Sequence, residues 1–262
     1  MLGSAWSNRG LIYAMIKRDV VGRYRGSVMG ILWSFFNPLL MLAIYTFVFS
    51  FVFKARWNTG SDSKTEFALI LFAGLIAFNL FSECVNKAPS LILANANYVK
   101  KVVFPLEILP IVSLGSAIFH SFISLIVWLI AYLAFFGAPH LTALLLPLVV
   151  LPMLLFTLSL SWALASLGVY LRDTSQVTGI ITTILLFVSP IFYPASALPE
   201  RYRPLLSLNP LSSTIEQIRN VLFFGTSPNW NVVLLNFLGA SVLAWIGFIW
   251  FQKTRKGFAD VL

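Results

Sequence analysis

Two clusters of cationic and amide side chains are the obvious chemical resource of this sequence. Lys17, Arg18, Arg23 and Arg25 crowd together, opposed only by Asp19, and Asn95, Asn97, Tyr98, Lys100 and Lys101 form a second group. Both sit between apolar runs, where positive charge orients a membrane chain and meets anionic headgroups. The net charge of +9 therefore needs no nucleic acid to explain it. Catalytic constellations are missing. No glycine is followed by lysine, so no phosphate-binding G-x-x-x-x-G-K-[ST] loop exists. His120 and His140 are too few and too far apart for a metal site without carboxylates. His120 reads as a polar group satisfied inside the bundle, with Ser113, Ser116, Ser121 and Ser124 nearby as partners. Acids are absent from mid-span positions in most of the apolar runs, which argues against a proton- or sodium-coupled carrier. Cys84 stands alone and permits no intrachain disulfide.

Membrane helices must position these groups. The chain of 262 residues is 59% hydrophobic and 10% charged, where soluble domains hold roughly a quarter charged residues. The class is an all-α, multi-pass membrane protein, because backbone groups in lipid pair within their own segment. From Gly26 to Phe53 no side chain is charged. As a helix that run is about 42 Å long at ~1.5 Å per residue, beyond the ~30 Å hydrocarbon core. Residues 17–53 thus read as the stretch around which the chain is organised, with a first span at 28–53 that Pro38 kinks. No cleaved leader is expected, since this run far exceeds a signal core. Ahead of it, Ile12, Ile16, Val20 and Tyr24 recur on one side of 9–25, away from Lys17, Arg18 and Arg25. That segment reads as an N-terminal amphipathic helix lying in the inner-leaflet interface. Gly22, Gly26 and Gly30 fit either a close helix approach or a hinge.

Further spans at 67–86, 108–135, 141–171, 174–193 and 230–251 bring the count to six transmembrane helices. Between Ile108 and Leu171 no side chain is charged, and the FGAPH stretch at 136–140 divides that run into a hairpin. Pro89 suits a first turn and Pro105 a stop, so a short cytoplasmic helix is expected at 89–101. Prolines 194, 199, 204, 210 and 228 punctuate the stretch between the fifth and sixth spans, in and around the region 195–225. Asn209-Pro210 starts a short helix there, whose Leu211, Ile215, Ile218 and Leu222 face is expected to lie opposite Glu216 and Arg219. Gly225 ends it. With both termini cytoplasmic, lysine and arginine favour the inside by two to one, as positive charge is held there. Trp33, Phe36, Phe47 and Phe51 fall roughly on one face of the first span, with Tyr45 and Phe49 on another. Sugar rings stack on such faces, and lipid-facing aromatics give the same pattern.

The stretches RDVVGRYRGSVMGILWSFFNPLL (18–40) and VKKVVFPLEILP (99–110) resemble those of type-2 ABC transporter permeases of polysaccharide export. The likeness covers essentially the whole chain. It implies a second copy of the chain and two separate ATPase subunits, which carry ATP and Mg while this chain holds no cofactor. It implies a lipid-linked glycan as substrate (O-antigen, capsule or teichoic acid) and the bacterial inner membrane as location. Lys17, Arg18, Asp19, Arg23 and Arg25, with Asn95, Asn97, Tyr98, Lys100 and Lys101, would meet the ATPase. Trp33, Phe36, Tyr45, Phe47 and Phe51 would border the channel at the dimer interface. Glu200, Arg201, Arg203, Glu216 and Arg219 would belong to short external gate helices. No fused carbohydrate-binding or ATPase domain is expected. A drug or small-lipid efflux permease of the same superfamily is the alternative; it differs in whether losing the protein strands glycan on the cytoplasmic face.

Overall fold

The computed structural model describes residues 2–52, 57, 64–100 and 104–262, and every regular element among them is helical. The chain opens with α1 (Leu2–Ser7) and α2 (Arg9–Arg23). The first span is α3 (Trp33–Tyr45), prolonged by a π-helical stretch at Thr46–Val52. Then come α4 (Lys64–Leu91), a short α5 (Ala96–Val99), α6 (Ile108–Phe136), α7 (Leu146–Tyr170) and α8 (Thr174–Val188). α9 (Arg203–Leu208), α10 (Pro210–Arg219), α11 (Trp230–Thr254) and α12 (Phe258–Val261) complete it.

Among the described residues, five stretches are long and apolar enough to cross a bilayer: 30–49, 65–91, 108–136, 141–170 and 230–261. α8 is apolar but has 15 residues, about 22 Å at ~1.5 Å each. The run expected to span at 174–193 is helical only as far as Val188. Ser189 takes extended backbone (ψ 146°), as a residue before proline does, because the Pro190 ring disfavours the helical conformation there.

α4, rather than the first span, is the axis of the bundle. Its apolar window is 78% buried against 11% for the first span, and α6, α7, α8 and α10 pack around it. From Phe67 to Phe81 only Asn79 interrupts an apolar surface on all sides, and a helix of that kind belongs inside. The length of the charge-free run at 26–53 reported crossing, not centrality.

Three further expectations change. The apolar side of α2, read as lipid-facing, packs on α6: Met15 and Val20 are buried, and Ile16 fills the space left at Gly115. The helix expected at 89–101 does not begin at Pro89, which lies in the last turn of α4. α4 ends at Leu91, where the Asn95 side-chain amide donates to the freed Leu91 carbonyl at 2.9 Å, and a 3-10 turn precedes α5. Gly22, Gly26 and Gly30 have nothing within 4 Å of a would-be Cβ, so close helix packing is not their use. Gly26 (φ 86°) and Gly30 (φ 53°) instead turn the chain between α2 and α3.

Candidate functional site

Both termini lie at one end of the bundle, and the first cationic cluster is built into that end. Asp19 and Arg23 are one helical turn apart on α2, and Glu83 and Lys87 one turn apart on α4. They form a two-rung ladder. Lys87 Nζ donates to both Asp19 oxygens at 2.7 and 2.9 Å, and Arg23 pairs with Glu83. Burial alone would raise the Asp19 pKa, but the Lys87 hydrogen bond and charge hold it below the ordinary value. Each rung is partly exposed, so it contributes about 0–1 kcal/mol; its effect is to fix the register of α2 on α4. Arg18 donates to the Tyr98 hydroxyl at 2.6 Å, and the Tyr98 ring stacks on Phe104 at 4.3 Å. α2 is thereby tied to α5. Lys17, Arg25, Asn97 and Lys100 are exposed around this junction. Lys101 lies outside the described residues. His120 meets the Tyr24 hydroxyl at 3.4 Å rather than the expected serines; Ser124 bonds the His120 carbonyl instead.

Glu107 was missed by the sequence reading. Its carboxylate, only 9% exposed, accepts from Ser4 of α1 at 2.8 Å and from Arg255 at 2.7 Å. Its carbonyl accepts from the buried Trp162 indole at 3.0 Å. One residue thus gathers both chain ends onto the start of α6. The available signal was a lone acid between Pro105 and Pro110 in an apolar stretch, since a buried charge requires a partner. Arg255→Ala is expected to lower stability by about 1–3 kcal/mol, because it strands the buried carboxylate. Glu107→Gln should cost less, and adding it to Arg255→Ala should recover part of the loss. Thermal unfolding of the three variants in detergent gives the coupling directly; additive losses would remove the pair from the account.

At the opposite end Arg219 is the centre. It follows Ile215 by one turn, so it lies on the buried face of α10 and not across from it as expected. It is 3% exposed. Its Nε donates to the Ile70 carbonyl at 3.0 Å, Nη2 to Ile191 at 2.8 Å, and Nη1 to Pro190. The Trp57 ring lies 4.4 Å away. Burial lowers its pKa to about 9, with Glu216 opposing the shift, so it stays charged at neutral pH. Further ties hold the surrounding backbone: Asn209 to Ser189, Thr142 to the Val221 carbonyl, Gln217 to the Asn229 amide. Gly225 closes the helix in the left-handed region. Glu200, Arg201 and Arg203 are exposed and interact within their own segment.

Of the aromatics in the first span, Trp33 and Phe47 are exposed. Phe36 lies against Phe35 and Tyr45 against Phe49, both half-buried. The Phe51 side chain is outside the described residues. Phe49 stacks on Phe192 at 5.7 Å, tying the first span to the segment after α8.

Comparison with known proteins adds to this geometry. Residues 10–223 match the family described as ABC-2 type transporter. The chain is 30% identical over 254 residues to the O-antigen export system permease protein RfbA of Myxococcus xanthus, covering 96% of this chain and 95% of that one. It is 28% identical to the RfbA protein of Klebsiella pneumoniae over the same shares. It is 26% identical to the polysialic acid transport protein KpsM of Escherichia coli, over 82% of this chain and 81% of that one.

Proposed function

The chain belongs to the ABC-2 type transporter family, and from that membership we propose that it is the permease subunit of an ATP-driven exporter of lipid-linked polysaccharide of the O-antigen kind. The observation that carries the reading is the end-to-end similarity to O-antigen export permeases. Two copies form the channel and two separate ATPase subunits bind ATP and Mg. The assembly sits in a bacterial inner membrane, with both termini cytoplasmic.

Six crossings fit this arrangement. Thr182 of α8 donates to Asn86 on α4 at 2.9 Å, while Pro190 and Ile191 share the Arg219 guanidinium with Ile70. Ile70 lies about 24 Å further along α4 at ~1.5 Å per residue. α8 and its extended tail therefore run beside the central helix from Asn86 to Ile70, which supports a sixth crossing finished outside regular helix.

Force enters where ATPase closure presses on Asn97, Lys100 and Lys101. The Arg18–Tyr98 contact and the Asp19–Lys87 and Arg23–Glu83 ladder pass it to α2. Gly26 and Gly30 let α2 pivot against the first span. Trp33 and Phe47 then border a path at the seam between two copies, together with the exposed Ile180, Ile184 and Phe187 of α8. Glu200, Arg201 and Arg203 form a movable rim over α10, whose base Arg219 holds still.

In the native host, deleting the gene is expected to trap glycan on the cytoplasmic leaflet, and restoring it returns glycan to the cell surface. Normal surface glycan after deletion, with or without new drug sensitivity, would reject the reading.

A further inference from the structure

Beneath α2 a cavity of about 180 Å3 opens between three helices and the turn after α4. Arg18, Asp19, Lys87, Ser90, Asn95 and Ser113 supply its polar wall, the Ser90 hydroxyl donating to the Lys87 carbonyl. A recess beside it shares Arg18, Asp19 and Lys87 and leads out past Gly22, where nothing lies within 4 Å of a would-be Cβ.

The hydrogen bonds of that wall do not balance. Both Asp19 oxygens are already on the Lys87 ammonium. Arg18 gives one N–H to Tyr98, out of five that a guanidinium carries. Asn95 uses its amide on the Leu91 carbonyl and has a second hydrogen to give. Ser113 is 3% exposed and its Oγ has no partner among the described residues. The Asp19 oxygens keep lone pairs beyond those Lys87 uses, but the remaining N–H and O–H groups of Arg18, Asn95 and Ser113 outnumber them. Water, which donates as readily as it accepts, would leave that excess in place; an occupant that only accepts would remove it. Charge points the same way, since two cations against one carboxylate leave a single positive charge to neutralise. The buried group among these donors is the Ser113 hydroxyl, and leaving it unmatched is costly.

We infer that this cavity takes the phosphodiester of an anionic phospholipid headgroup, with Arg18, Lys87 and Ser113 donating to its oxygens. A phosphodiester carries the one negative charge required, and basic pockets between membrane helices on the cytoplasmic side hold such headgroups. The bound headgroup would pin α2 to α4 and α6, so the seat of α2 depends on the lipid around it. None of the residues lining this site is among those placed on the glycan path.

The test uses the full-length protein purified in a neutral detergent, titrated with phosphatidylglycerol or phosphatidylcholine. Thermal midpoints and native mass spectra are the readouts. Phosphatidylglycerol, and not phosphatidylcholine, should raise the midpoint and survive as a bound adduct. Arg18→Gln, at an exposed position that spares folding, should weaken retention of phosphatidylglycerol roughly tenfold, the loss of one charge-assisted hydrogen bond. Ser113→Val should weaken it without removing a charge. If inorganic phosphate raises the midpoint as phosphatidylglycerol does, the occupant is a free anion and the headgroup assignment falls. Equal stabilisation by both lipids would mean that net anionic charge is not selected and would overturn the anionic-headgroup assignment. No stabilisation by either, or both variants retaining phosphatidylglycerol like the parent, would mean a water-filled cavity and overturn the inference.

Discussion

Arg219→Met is expected to lower the stability of the protein by about 3–5 kcal/mol, enough to deplete it from the membrane. Methionine keeps much of the volume and removes every donor. The carbonyls of Ile70, Pro190 and Ile191 would then be buried and unmatched, at roughly 1–3 kcal/mol each if water does not reach them. These carbonyls come from α4 and from the extended tail of α8, so one side chain sets the height of three segments against each other. Arg219→Lys should fall between, because an ammonium is a point donor and cannot span three acceptors as the planar fork does. Gly74 supports the same site: a Cβ there would sit 2.8 Å from Arg219 Nη2. Denaturant unfolding in micelles, with detergent-solubilised yield as a second readout, checks the order parent, Arg219→Lys, Arg219→Met. An unchanged midpoint for Arg219→Met would mean that water satisfies the three carbonyls and that α10 is not anchored.

Arg219 also shows where sequence reading stops. Its partners are backbone carbonyls, which every residue possesses, so no pattern of residue types announces them. The spans were legible because lipid forbids charge over a known length, and absence of charge is visible in a sequence. The short α8 was legible too, given more weight on Pro190: the residue before a proline leaves the helical region, whatever the hydropathy beyond it. Charge spacing on α2 and α4 held the ladder in plain form, acid then base at 19 and 23, acid then base at 83 and 87. What the sequence withheld was that these two helices meet, which depends on α2 lying on α6 and not in the lipid. That in turn depends on Gly115 leaving room for Ile16, a contact between residues far apart in the chain. Of the cationic residues assigned to the ATPase surface, Arg23 is occupied by this ladder, while Lys17, Arg25 and Lys100 remain exposed.

Gly168→Ala is expected to be as damaging as many core deletions, although it adds a single methyl group. In α7 the position where a Cβ would stand is filled by the Pro89 carbonyl, its carbon and its Cα. Those are backbone atoms of α4, so no side chain can rotate to relieve the clash, and the two helices must separate. Small residues allow such close approach in membranes, where packing replaces the hydrophobic driving force between helices. Forced overpacking costs typically 1–3 kcal/mol and more where the backbone must shift. Gly239→Ala is the matched control in α11: nothing lies within 4 Å of its would-be Cβ, and alanine gains up to about 1 kcal/mol over glycine in a helix. The same chemical change should therefore move the unfolding midpoint in opposite directions at the two sites. The close contact also falls two residues from Lys87, so parting α7 from α4 displaces one rung of the ladder that seats α2. Gly168→Ala protein that does reach the membrane should hydrolyse ATP with its ATPase partner at a higher ratio to glycan exported. A parental ratio at reduced abundance would confine Gly168 to packing alone.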